Sequence, residues 1–201
     1  MLTKKEKQQM LKLVARRNEH LKGSRLWDAL EYCITLLFMV ILAFSIRSVL
    51  FEPMRVKGSS MENTLQPGDY MAVEKLSYIV SPMKRGDVVI CYYPNNDDYT
   101  CVKRIIGLEG DRITIENGIV SVNGVRLTED YVTTGLTSKH DGVYEVEPGC
   151  VFVMGDNRLV SHDSTDGMVG SIPAERVIGR VNRVLLPFSR AKKLSGVRYG
   201  V

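Results

Sequence analysis

One long apolar run interrupts an otherwise mixed chain. Residues 32–46 (YCITLLFMVILAFSI) carry no charge, and only Arg47 breaks the run before Phe51. The uncharged part is shorter than the ~20 residues a spanning helix usually needs. Trp27 and Tyr32 nevertheless suit one membrane interface, and Arg47 can snorkel at the other. Beyond Phe51 the pattern turns strand-like, with short Val-, Ile- and Tyr-rich stretches between Gly, Asn, Asp and Pro and no long amphipathic helix. The expected strands are 70–74, 87–93, 101–108, 113–115, 119–122, 125–127, 150–154 and 177–186. Asn117-Gly118 and Asn123-Gly124 signal tight hairpin turns. Residues 129–147 are polar and read as a loop or a reduced insertion at a sheet edge. The pattern predicts a mainly β protein: a coiled antiparallel β-sheet domain behind a single N-terminal transmembrane helix.

Charge sharpens this picture. Residues 1–26 hold eight Lys/Arg against Glu6 and Glu19, whereas from Ser48 onward 18 Lys/Arg face 19 Asp/Glu. The net charge of +4 therefore belongs to the leader, and the near-neutral remainder lacks the basic stripe that nucleic-acid binding requires. A cleaved signal peptide is the rival to an anchor, but Ser45-Ile46-Arg47 is a poor small-x-small exit. The positive-inside bias then gives three parts: a cytoplasmic basic N-terminus (1–26), a transmembrane anchor (27–51) and an extracytoplasmic β domain (52–201) with a small insertion near 112–148. The protein is expected in the cytoplasmic membrane, in contact with phospholipid.

Cys33 lies in the apolar run, which leaves Cys91, Cys101 and Cys150 in the β domain. Cys91 and Cys101 flank Asn96 at equal distance, so they either bridge across a hairpin or remain two small reduced hydrophobes. His20, His140 and His162 do not cluster, no metal-ligand spacing occurs, and no cofactor is expected.

Three short clusters carry candidate chemistry. Gly58-Ser59-Ser60-Met61 sets a serine in a turn of small residues, where a substrate backbone can approach and backbone N–H groups can hold an oxyanion. A serine in such a turn is more often mere turn chemistry. Lys103-Arg104 sits within an apolar strand, and alternation puts Lys103 on the face of Cys101 and Ile105, with Arg104 on the other. Burial lowers a lysine pKa and makes it a base, whereas an edge strand would leave both cations wet. The third cluster, residues 151–164, ends an apolar strand in a polar turn holding Asp156, Arg158, Ser161 and Asp163. Taken alone it staples a loop; beside a neutral lysine, Ser161 supplies an orienting hydroxyl.

In their order, Ser-Met-x-x-Thr-Leu (60–65), Lys-Arg-Ile-Ile-Gly-Leu-x-Gly-Asp (103–111) and Met-Gly-Asp-Asn-Arg-x-x-Ser-x-Asp-Ser (154–164), behind an anchor, resemble the bacterial type I signal peptidases, or leader peptidases. The resemblance runs from Ile46 to about Val181. It implies Ser60 as nucleophile, Lys103 as general base and Ser161 as the hydroxyl that orients the lysine. The oxyanion would be held by the Ser60 N–H and a group near Gly58, where some relatives carry a serine. Asp156, Arg158 and Asp163 match the polar support of the site. Two positions depart from the pattern: Asn63 stands where the family often has proline, and Thr165 where arginine is common. Asp163 must then be held by Arg158, by another cation or by hydrogen bonds.

The resemblance implies a membrane-anchored serine endopeptidase that cleaves signal peptides from exported preproteins near the secretion translocon. Small residues are expected at the first and third substrate positions before the cut. The extended peptide is expected to add to a sheet edge. The stretch 51–56, directly after the anchor, would keep the nucleophile near the bilayer. The alternatives are a repressor-type autoprotease, which lacks an anchor, and a non-catalytic signal-peptidase-like scaffold or pilus-assembly helper that binds exported proteins.

Overall fold

The computed structural model describes residues 3–22, 25–76, 78, 81–94, 96–132, 140–194, 196–197 and 199. The chain divides into two compact units, Met1–Ser48 and Val49–Val201.

The first unit is helical. Helix α1 spans Lys4–Lys22 and α2 spans Arg25–Leu50. Thr3 opens α1 with the carboxylate half of a capping box: its N–H and hydroxyl both donate to Glu6 Oε2, at 2.7 and 2.8 Å. Within α2, residues Leu26–Ser45 have a mean hydropathy of 1.8, and none of the stretch is buried inside the protein. The hydroxyls of Thr35 and Ser45 donate to the carbonyls of Glu31 and Ile41, both at 2.8 Å, so neither adds an unsatisfied group to that apolar surface. At ~1.5 Å per residue the helix reaches the ~30 Å of a bilayer core.

Among its described residues the second unit contains twelve antiparallel strands: β1 Phe51–Arg55, β2 Tyr70–Glu74, β3 Val88–Tyr93, β4 Asn96–Leu108, β5 Arg112–Glu116, β6 Ile119–Val122, β7 Val125–Arg126, β8 Gly142–Glu145, β9 Cys150–Met154, β10 Ile172–Pro173, β11 Val177–Leu186 and β12 Lys192–Lys193. Eight form one sheet in the order β1-β2-β11-β3-β4-β9-β10, with β12 beside β11; the other four form a sheet ordered β7-β6-β5-β8. Asn117 and Asn123 have φ near +50°, and each is followed by a glycine at positive φ. Those are the angles of the tight hairpin turns expected at both sites.

Strand period distributes the core. On β9, Phe152 and Met154 join the cluster under the smaller sheet with Ile113 and Val120, whereas Val151 and Val153 join Val89, Cys91 and Ile105. A third cluster gathers Met61 and Leu65 with Met71, Val73 and Ile90, so the turn holding Ser60 is pegged into the large sheet. Gly107 sits where the sheets meet; a Cβ there would come within 2.7 Å of Ile113 Cδ1.

One expectation is corrected. Within the polar stretch 129–147, Gly142–Glu145 is a strand whose Val143 and Tyr144 pair with Thr114 and Ile113. It is an edge strand, and the Tyr144 ring packs at a tilt against Phe152 with centroids 5.2 Å apart. One half-buried ring on an exposed edge leaves little alternation to read from sequence. Residues 133–139 of that stretch lie outside the described residues.

Candidate active site

Ser60 is set by a short compact turn. Val56, buried at the end of β1, donates to Asp69 O at 2.8 Å and accepts from Gly68 N at 2.9 Å, which closes a loop around the segment. Inside it, Glu62 N donates to Ser59 O, and Thr64 N and Leu65 N donate to Met61 O. Met61 and Leu65 are 1% and 0% exposed, and their burial holds the turn down. Asn63 takes φ +99°, a backbone angle proline cannot adopt, so the asparagine is in keeping with this form of the turn. Ser60 faces a cleft of about 460 Å³ that also admits Gly58, Ser59 and Lys103. An added Cβ on Gly58 would meet nothing within 4 Å.

Lys103 is only 1% exposed, on a central strand between β3 and β9. Its Nζ donates to Ser161 Oγ at 2.8 Å, and among the described residues no carboxylate pairs with it. Burial pushes the Lys103 pKa below its ordinary value, opposed by the negative charge of Asp163 and by smaller contributions from Cys101, Cys91 and Asp156. The lysine is therefore biased toward its neutral form.

Both members of Lys103-Arg104 are buried, a point the alternation argument left open. Arg104 is 2% exposed and pairs bidentately with Asp156, Nε–Oδ1 at 2.8 Å and Nη2–Oδ2 at 2.7 Å. Its Nη1 donates to Gly86 O at 2.9 Å, and its guanidinium lies 4.0 Å over the Tyr131 ring. Thr64 Oγ1 donates to the same Asp156 carboxylate. One acidic side chain thus connects the β4 cation to the turn that carries Ser60.

The loop after β9 does the rest of the positioning. Asn157 N donates to Ser60 O at 2.9 Å, and its side-chain amide donates to Ser59 O at 3.2 Å. Gly155 lies at the closest approach: a Cβ there would come within 2.5 Å of Ser60 O and 2.6 Å of Ser161 Cβ. Asp163 accepts from Gly155 N at 2.9 Å, from Thr165 N at 3.2 Å and from the Thr165 hydroxyl at 2.7 Å. Of the three ways to hold Asp163, these hydrogen bonds are the one present here. Arg158, also buried, turns elsewhere; it donates to Gly155 O at 3.0 Å and pairs with Glu129.

All seven residues singled out from sequence surround this cleft or its supporting loop, joined by Thr64, Arg104, Glu129, Gly155, Asn157 and Thr165. Thr64, Gly155 and Asn157 stand within the motifs themselves. Glu129 has no local signal, because its partner is 29 positions away. His162 is exposed, with Nδ1 3.2 Å from Asp166 Oδ2. Among the described residues, no group of three or more His, Cys, Asp or Glu side chains forms a metal site.

Residues 29–186 match the family described as signal peptidase, peptidase S26. Signal peptidase I of Bacillus licheniformis is 37% identical over 172 residues, 81% of this chain and 91% of the relative. Signal peptidase I of Bacillus caldolyticus is 36% identical over 159 residues, 73% of this chain and 85% of the relative. Signal peptidase IB of Staphylococcus aureus is 31% identical over 182 residues, 82% and 93% respectively. Among solved structures, a signal peptidase I from Enterococcus faecalis is similar at 28% identity and a TM-score of 0.45, covering 53% of this chain and 98% of that one.

Proposed function

The chain belongs to the signal peptidase family, peptidase S26, and is a serine endopeptidase that cleaves signal peptides; from that premise we propose that Ser60 and Lys103 are its catalytic dyad. The observation that carries this reading is a buried lysine sharing a cleft with a turn-held serine and tethered to a hydroxyl, not to a carboxylate. A carboxylate partner would hold the ammonium charged; a serine hydroxyl orients the amine and leaves its lone pair free.

Neutral Lys103 takes the Ser60 proton as Oγ attacks the scissile carbonyl. The Ser60 N–H, with groups near Gly58, holds the oxyanion. Lys103 then protonates the leaving amine, and a water, activated by the same amine, releases the acyl-enzyme. Ser161 keeps Nζ aimed, while Asp156, Asp163 and Arg158 hold the loop and turn in register. Exported preproteins supply the extended substrate segment. It lies along the cleft, whose apolar wall includes Met54, Met61, Met71 and Ile90.

The reading extends to the membrane. Residues 1–26 stay in the cytoplasm, α2 crosses the bilayer once, and the β domain works outside, near the translocon. Protease added to intact spheroplasts should digest the β domain and spare the basic leader; protection of the β domain would overturn this topology.

The dyad is tested by Ser60→Ala, Lys103→Ala and Lys103→Arg in the full-length protein, with a fluorogenic signal-peptide substrate. All three should lose activity by more than about a thousandfold while keeping a wild-type circular-dichroism spectrum. A guanidinium does not deprotonate at usable pH, so Lys103→Arg retaining more than about a tenth of wild-type activity would remove the general-base role.

A further inference from the structure

The proposed mechanism leaves one nucleophilic pair unused. Cys91 on β3 and Cys101 on β4 stand directly opposite each other in the ladder. Their Sγ atoms lie 3.3 Å apart, and both thiols are free. Antiparallel neighbours hold their Cα atoms roughly 4.5–5.5 Å apart, within the span a disulfide accepts. Joining the two sulfurs therefore requires side-chain rotation and no slip of either strand.

The two thiols differ. Cys91 is 0% exposed, whereas Cys101 is half-buried and lines the same cleft as Ser60 and Lys103. The hydrogen bond shared with Cys91 pulls the Cys101 thiol below its ordinary pKa, against the burial that raises it. The same hydrogen bond, together with burial, pushes Cys91 up. One sulfur is thus accessible and nucleophilic, and the other is shielded and within reach of it.

We propose that Cys101 and Cys91 form a thiol–disulfide exchange site opening on the catalytic cleft, with Cys101 the attacking sulfur, Cys91 the resolving sulfur, and a small-molecule disulfide as the oxidant. The Cys101 thiolate attacks one sulfur of the disulfide RSSR, breaks the S–S bond and releases RS⁻, which takes up the proton that Cys101 lost. The mixed disulfide on Cys101 then accepts attack by the Cys91 sulfur, which expels the second RS⁻, and the Cys91 proton goes to it. Two protein thiols become one disulfide, and RSSR is reduced to two RSH. The first step sets the R group in the cleft beside Lys103 and blocks it; the second clears it. Cys91 accordingly rescues the cleft from a lasting adduct.

The test uses the full chain in detergent micelles with Cys33→Ser and Cys150→Ser, so that only this pair reacts. After treatment with oxidised glutathione, acid quench and alkylation with N-ethylmaleimide, intact mass reads the outcome. The intact pair should carry neither glutathione nor alkyl group. Added Cys91→Ala should leave one glutathione on Cys101, and added Cys101→Ala should leave Cys91 alkylated and free of glutathione. Cleavage by the Cys91→Ala form should fall about tenfold or more on oxidation and recover with dithiothreitol, while the intact pair changes less than about twofold. Two alkylated thiols in the intact pair after oxidation, or glutathione on Cys91, would overturn the exchange site. The activity arm rests on the dyad reading. A stoichiometric adduct on Cys101 with undiminished cleavage would overturn the assignment of this cleft to catalysis and leave the exchange site standing.

Discussion

Replacing Gly155 with alanine adds one methyl group at the point where the proposed nucleophile and the lysine's tether converge. The new Cβ would lie 2.5 Å from Ser60 O and 2.6 Å from Ser161 Cβ, and closer still to Ser161 Oγ. Non-bonded carbon contacts settle near 3.5 Å, so Ser60 and Ser161 must each move away from residue 155 by roughly 1 Å. Neither can yield cheaply. Ser60 O is held by Asn157 N, Ser161 Oγ accepts from Lys103, and Gly155 N is itself bound to Asp163. Gly155 does not lie at positive φ, so the penalty is steric and not a backbone one. Overpacking of this kind costs about 1–3 kcal/mol. At ~2–4 °C per kcal/mol for a domain of this size, the melting temperature should fall by about 2–12 °C. A misplacement of ~1 Å at reacting groups costs on the order of a hundredfold, so kcat/KM should fall by about that factor, mainly through kcat. The assay is steady-state cleavage of a signal-peptide substrate by the folded variant well below its melting temperature. Gly167→Ala, whose Cβ would meet nothing within 4 Å, is the steric control. A Gly155→Ala enzyme within about threefold of wild type would refute the claim that this contact sets the distance between Ser60 and Ser161.

Other expectations follow from the same geometry. Asp156→Asn leaves Arg104 buried without its charge partner and should destabilise the β domain by about 3–5 kcal/mol, read by urea denaturation; a loss below about 1 kcal/mol would show that the pair is not structural. Because burial holds Lys103 below its free pKa, kcat/KM should rise with pH through that lowered value, and the acidic limb should lie below pH 10.5 and survive chelators and His162→Ala. The unfolded chain binds one more proton than the fold between the lowered value and about 10.4, so Lys103→Met should stabilise the protein most below that window and least above it; a pH-independent difference in melting temperature would contradict this. Thr165→Val removes one of the three donors to Asp163 and should cost about 1–2 kcal/mol with the dyad chemistry intact, checked by melting temperature and by an unchanged pH profile.

Much of this protein is legible one residue after another. The strand over 70–74, the positive-φ Asn-Gly hairpins and the apolar helix all follow from local period and turn chemistry, because each depends on neighbours within a few positions. Motif spacing singled out Ser60, Lys103 and Ser161, although 43 to 101 positions separate them pairwise, and the structure brings all three to one cleft and its rim. Where the chain was silent, the deciding partner lay on another strand. The edge strand Gly142–Glu145 is defined by its pairing with β5 and not by its own composition. Burial of Arg104 rests on Asp156, 52 positions away, and that of Arg158 on Glu129, 29 away. Gly155 reads as one more turn glycine until Ser60 O and Ser161 are packed against it. Sequence by itself determined the apolar helix, the hairpin turns and the strands with a clear period, and which residue types carry chemistry, since those follow from covalent structure and short-range period. Only the tertiary structure decided which charge is buried and what neutralises it, because that depends on the sheet register that brings distant side chains within hydrogen-bonding distance.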